Sequence, residues 1–229
     1  MFSATTIKPT PLFNSNDLKS LFSLPFPLDQ RWLLSNLETI LYPGVTVTVE
    51  GEGEVVSIVT DDYPSTVPLF THRRFLDFSG NTEPIKRDRP STKKMIEALE
   101  STPFLPYIWG GNFPQGVPEL FELFPPTRQL HAWEWHLFHL RGVDCSGLIY
   151  NVTHGTLPRN TGPMKNACEV ISSPTKPLDL IFAPGHVLIT LSQDRVIESR
   201  LYQGITVSSL SSRLKQLERE EKWISFARF

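Results

Sequence analysis

Cysteine is scarce in this chain. Cys145 and Cys168 are the only two in 229 residues, too few for a disulfide framework and in keeping with a reducing compartment. Long apolar runs are missing too. No segment approaches the roughly 20 apolar residues that a bilayer span requires. The start, Met1 to Pro9, has neither the basic opening nor the apolar run of a secretory signal. On these grounds the expectation is a soluble cytoplasmic protein, with the cell envelope, reached by a route not visible in the sequence, as the alternative. Neither sign of charge is in excess. A formal net charge of −2 and a pI near 6.3 leave no electrostatic footprint for nucleic acid. What is present is ordinary for a globular protein: 40% hydrophobic and 20% charged residues argue against disorder. The length allows one large domain or two small ones.

Twenty prolines exceed the usual share of about 5% and indicate many loops and extended segments. Residues 1–30, rich in Pro, Ser and Asn, read as an N-terminal extension with a short helix near Asp17 to Phe22. From Trp32 to Phe78 the pattern turns to strands. Val45 to Val49 alternates at period two, and Glu54 to Val59 follows after the turn-forming Glu50-Gly51-Glu52-Gly53. Short strands with tight turns suggest a small barrel over residues 31–85. Lys86 to Ser91 reads as a linker, with Ser91 or Thr92 capping a helix that carries Met95, Ile96 and Leu99 on one face until Pro103 ends it.

The chemistry concentrates further on. In Gly142-Val143-Asp144-Cys145-Ser146-Gly147-Leu148-Ile149-Tyr150, Asp144 and Ser146 are helix-start residues and Leu148, Ile149 and Val152 form the apolar face behind them. A thiol at a helix N-terminus lies near unpaired N–H groups and the positive end of the dipole, which favours the reactive thiolate. Gly185-His186-Val187-Leu188-Ile189 places a histidine at the start of a strand, where it can serve as the base. His186 to Leu191 and Arg195 to Glu198 form a hairpin around Ser192-Gln193-Asp194. Leu210 to Glu221 shows helical spacing with mixed charges, suited to covering a sheet edge.

Five blocks in order resemble those of the NlpC/p60 family, papain-like cysteine peptidases that cut bacterial cell-wall peptides. They are Pro106-Tyr107-Ile108-Trp109-Gly110-Gly111, Asp144-Cys145-Ser146-Gly147, Leu157-Pro158-Arg159-Asn160-Thr161, Asp179-Leu180-Ile181-Phe182 and His186-Val187. The resemblance covers residues 92–229 and implies an α+β fold, helices packed on an antiparallel sheet. It makes Cys145 the nucleophile, His186 the base and Glu198 the third catalytic residue, at a position where the family more often has histidine. A carboxylate there can hold the imidazole tautomer and stabilise the imidazolium. The resemblance also implies substrate-binding roles for Tyr107 at the oxyanion, for Asp144 and Ser146 beside the nucleophile, and for Thr161 against the substrate peptide. For Asp144 the implied role is binding the free amine of a stem peptide, with helix capping as the alternative. The implied substrates are peptidoglycan stem peptides or muropeptides, cut between the γ-carboxyl of D-glutamate and the following diamino acid. No cofactor and no metal are implied. Leu41-Tyr42-Pro43-Gly44-Val45-Thr46-Val47 resembles the start of a bacterial SH3-like domain, a frequent companion of this family, and would make the barrel such a domain. The family has glycine where Leu178 stands.

The interval from Gly111 to Asp144 is longer than the family's. Its Phe121 to Pro126 and His131 to His139 segments suggest an aromatic flap lining the cleft. Its three histidines lack the i, i+4 spacing and the cysteines of a zinc site.

Overall fold

The computed structural model describes residues 1–102, 104–220 and 223–229. The chain divides into two compact units, Met1–Lys86 with Ile108–Gly142, and Arg87–Tyr107 with Val143–Phe229. It therefore enters the second unit, returns to the first, and crosses again.

The first unit is built on strands β1 (Phe2–Thr6), β2 (Thr10–Phe13), β3 (Leu37–Leu41), β4 (Thr46–Glu50), β5 (Val55–Val59), β6 (Leu69–His72) and β7 (Leu76–Asp77), with the short helix α1 (Leu18–Leu21) between β2 and β3. In β4, Val47 and Val49 are buried while Thr46, Thr48 and Glu50 face solvent, the alternation of a sheet with one wet face. Gly51, at φ +96°, supplies the left-handed residue that turns the chain into β5. Two expectations need correction. The seven strands run in the linear order β3-β2-β6-β5-β4-β1-β7, so among the described residues the sheet has two edges rather than the closure of a small barrel. Residues 2–13 are also not an extension. β1 pairs with β4 and β7, and β2 pairs with β3 and β6. Pro9 and Pro11 speak against strands there, yet pairing on both sides and burial of Leu12 and Phe13 outweigh them.

Helix α2 (Thr92–Glu100) opens the second unit, with the Ser91 hydroxyl accepting from the Lys94 N–H and Met95 and Leu99 buried. Pro103, expected to end it, lies outside the described residues. The chain then returns to the first unit through β8 (Asn112–Phe113), α3 (Glu119–Leu123) and α4 (Ala132–Phe138). Here the expected aromatic flap gives way to something more structural. Phe113, Val117, Leu120, Leu137, Phe138 and Leu140 share one core with Phe13, Leu18, Phe22, Leu37 and Ile40. The Asn112 side-chain amide pairs with both backbone groups of Ile40, at 2.9 and 2.8 Å. Gly110, at φ +71°, lies so close to the Leu37 carbonyl that a Cβ would sit 2.5 Å from its oxygen. Only glycine fits that approach.

Strand β9 (Gly142–Val143) marks the second crossing. Beyond it come α5 (Cys145–Val152), α6 (Thr161–Asn166), β10 (Glu169–Ile171), β11 (Leu180–Ala183), β12 (His186–Thr190), β13 (Arg195–Arg200), β14 (Gly204–Ser209), α7 (Leu210–Glu220) and β15 (Ser225–Arg228). Six of these strands form an antiparallel sheet in the order β10-β15-β11-β12-β13-β14. One face, with Leu180, Phe182, Val187, Ile189 and Ile197, packs on Leu148, Ile149 and Val152 of α5. The other, with Ile181, Ala183, Leu188 and Val196, packs on Leu210 and Leu217 of α7. Helix α7 thus covers a face of this sheet rather than its edge; Glu221, expected in the same helix, lies outside the described residues. The α+β arrangement of helices on an antiparallel sheet is the one the resemblance implies.

Leu178 resolves the question raised by the family's glycine. Its N–H donates to the Thr190 carbonyl, and the Thr190 N–H donates to the Asp179 carbonyl, so two residues face one. That is a bulge whose first residue is left-handed, the usual place of glycine. Leu178 adopts φ +71° there. The backbone keeps the glycine geometry while a leucine side chain fills the core.

Candidate active site

Cys145 is the first residue of α5. Asp144 caps the helix in extended conformation, and its carboxylate accepts the Gly147 N–H at 2.6 Å. The carboxylate does more than cap. Arg159 reaches it with both Nη atoms, at 3.0 and 2.6 Å, and Arg159 also donates to the Ser146 hydroxyl at 2.8 Å. The Ser146 hydroxyl in turn donates to Asp144. Asp144, Ser146 and Arg159 are all buried, so two opposite charges are held out of water by a bidentate pair and a shared hydroxyl. The N-terminus of α5, and the thiol on it, is thereby fixed from below.

His186 begins β12 and Glu198 lies on β13. The hairpin register pairs Ile189 with Ile197 and Thr190 with Val196, which puts Glu198 and His186 on one face by period-two alternation. Nε2 of His186 meets Oε2 of Glu198 at 2.7 Å. The Cys145 side chain is near enough to act on the same imidazole. Burial alone would pull this imidazole down, but the bonds to Cys145 and Glu198, and the charges of both, prevail and push it up to about 9. Glu198 is buried with no exposed side-chain surface. Burial would raise its carboxyl, but bonds from His186 and Arg213 bring it below its ordinary value.

Tyr107 is half-buried at the end of a pinned segment. The Val143 N–H donates to the Pro106 carbonyl, two residues before the nucleophile, and the Ile205 N–H donates to the Leu105 carbonyl. Gly204 makes the second contact feasible, because a Cβ there would lie 2.1 Å from the Leu105 oxygen. Thr161 is half-buried as the first residue of α6, just after Arg159. Trp109 carries the Arg31 guanidinium over its ring at 5.5 Å, within the first unit. Cys168 is half-buried, and burial pushes its thiol up.

The structure thus brings Cys145, His186 and Glu198 together and places Asp144 and Ser146 around the same helix start. Sequence reasoning missed two arginines. Arg159 was visible as part of a turn, with nothing to show that its partner stood fifteen residues earlier. Arg213 did leave a signal: it sits on the stripe of Leu210, Leu214 and Leu217, a charge at a core position of α7.

Residues 105–219, half of the chain, match the model of the NlpC/P60 family. No curated protein matches the sequence. Similar solved structures include NlpC2 from Trichomonas vaginalis, 10% identical over 92% of this chain and 68% of that one, with a TM-score of 0.38. The P60 domain of an M. avium paratuberculosis antigen is 23% identical over 52% of this chain and 83% of that one, at a TM-score of 0.35. A Staphylococcus aureus protein described as similar to lipoprotein, NLP/P60 family, is 20% identical over 72% of this chain and 55% of that one, at 0.40.

Proposed function

Because the chain belongs to the NlpC/P60 family, generally cell-wall peptidases, we propose that it is a cysteine peptidase with Cys145 as nucleophile, His186 as general base and acid, and Glu198 as the residue that orients the histidine. The observation that carries this reading is the position of His186, whose Nε2 meets a buried carboxylate 2.7 Å away and whose ring is acted on by the Cys145 side chain. The proposed substrate is a peptidoglycan stem peptide or muropeptide, and the proposed bond joins the γ-carboxyl of D-glutamate to a diamino acid.

In this mechanism the Cys145 proton resides on the imidazole ring and the thiolate attacks the carbonyl carbon. The oxyanion is met by the Tyr107 hydroxyl and by backbone N–H groups at the start of α5. The imidazolium protonates the leaving amine as the C–N bond breaks, which leaves a thioester on Cys145. Water then attacks that thioester, giving its proton to His186 and releasing the acid. Glu198 holds the imidazole in one tautomer throughout and balances its charge. Asp144 serves first as the cap of α5 and the partner of Arg159. A substrate amine bound at Asp144 would share that carboxylate with Arg159. Ser146 and Thr161 are proposed to line the substrate peptide.

Mass spectrometry of purified muropeptides incubated with the full chain tests the reading. New products differing by hydrolysis at the D-glutamyl bond are expected. Loss of an acyl chain to another acceptor would point to an acyltransferase. Unchanged muropeptides together with tight binding would point to a non-catalytic module.

A further inference from the structure

Glu198 belongs to the sheet face that α7 covers, two residues beyond Val196. A carboxylate with no exposed surface is expensive unless its charge is matched and its oxygens are bonded. The groups facing it are few. His186 approaches from β12 at 2.7 Å, and Arg200, on β13 with Glu198 itself, stands off at 4.0 Å. Thr206 of β14 lies opposite in register. From α7, Arg213 takes both oxygens, Nε to Oε1 at 2.6 Å and Nη2 to Oε2 at 2.9 Å, and is itself 5% exposed. Behind it Glu220 lies 3.6 Å from Nη1.

We infer that Arg213 is a positioning residue of this active site: its planar fork fixes the Glu198 carboxylate and, through it, the ring orientation and tautomer of His186. The inference rests on the reading of Cys145 and His186 given above. Oε2 of Glu198 accepts from both Arg213 and His186, so the plane of the carboxylate, set by the fork, decides where the imidazole bond can point. A lysine could supply the charge but not two parallel bonds. A helix that elsewhere presents leucines to the sheet therefore spends one core position on a cation. Among the described residues, Arg213 pairs with Glu198 and Glu220.

The test reads the thiol, and no peptide substrate is needed. In the full chain, the rate of Cys145 alkylation by iodoacetamide at neutral pH is compared among the wild type, Arg213→Gln, Arg213→Lys, Glu198→Gln and the double Gln variant. Arg213→Gln is expected to react on the order of tenfold more slowly, with Arg213→Lys recovering part of the loss. Because Arg213 acts through Glu198, the double variant should match Glu198→Gln within about twofold. Wild-type reactivity in a folded Arg213→Gln protein, or losses that multiply in the double variant, would overturn the inference. Should Arg213→Gln alone not fold, because it buries an unpaired carboxylate, two comparisons remain. Arg213→Lys should be several-fold slower than wild type, and the double variant, which buries neither charge, should equal Glu198→Gln. Equality in the first or a further loss in the second also overturns it. Failure of the protein to cut muropeptides would sink the peptidase reading and leave this result intact.

Discussion

Cys145 and Cys168 differ in every feature around the sulfur. One starts a helix and acts on the His186 imidazole, while the other is a half-buried thiol pushed up by burial. Sub-stoichiometric iodoacetamide near neutral pH should therefore label Cys145 in preference, and peptide mapping that finds Cys168 labelled first would contradict the assignment. His186 makes a second expectation. Its folded value of about 9 lies above the ordinary 6.5, so its contribution to stability is complete below about 6.5 and lost as pH rises through 9. The thermal midpoint of the wild type should fall over that window more than that of His186→Gln, and parallel curves would remove the linkage. For Glu198 the sign is reversed. Its depressed value stabilises the fold above the ordinary 4.5, and that contribution is lost as pH falls through the folded value. At this scale the helix start at Cys145 and the strand start at His186 were legible, because capping chemistry and strand patterning are local properties of the chain, whereas Glu198 was reached through the resemblance to the family. The partners of Arg159 and Arg213 were not legible, since a long basic side chain finds its partner only once the chain has folded; Arg213 itself was marked only as a charge on the apolar stripe of α7.

The start of α5 and the bulge at Leu178 show how an element holds the site. Asp144→Asn keeps a capping oxygen but weakens the pair with Arg159. Asp144→Ala removes both and leaves a buried guanidinium without its partner. Chemical denaturation should show the Ala variant losing about 3–5 kcal/mol and the Asn variant clearly less. Equal losses would mean that the ion pair adds nothing to the cap. At Leu178 the left-handed backbone favours glycine while the buried side chain favours leucine. Both Leu178→Ala and Leu178→Gly should destabilise, with Gly the milder by about 1 kcal/mol despite having no side chain at all. An Ala variant as stable as the Gly variant would show that the turn carries no strain. Elements with strong period-two or helical patterns, β4, β5, α2 and α7, were readable beforehand. Strands β1 and β2 were not, because both are short, β2 contains Pro11, and each is defined by partners far away in the sequence, such as Val49 for Phe2 and Leu41 for Thr10.

The whole molecule interleaves its units, and this was the least legible level. An interval rich in Trp, Phe and His resembles an insertion beside a cleft, yet residues 108–142 complete the core of the first unit. A protein beginning at Arg87 would keep that interval and lose its packing partners. Each stripped side chain gives up about 1.5–3 kcal/mol of burial, so the shortened protein should bind a hydrophobic dye and aggregate. A monomeric, cooperatively melting product would show that the interval does not depend on residues 1–86. The central claim concerns the thiol and its histidine, and one comparison addresses it most directly. Muropeptide is incubated side by side with the wild type, Cys145→Ala and His186→Ala, all shown to be folded, and release of the diamino-acid fragment is followed by mass spectrometry. The account predicts release by the wild type alone. Release at a similar rate by the Cys145→Ala protein would contradict it.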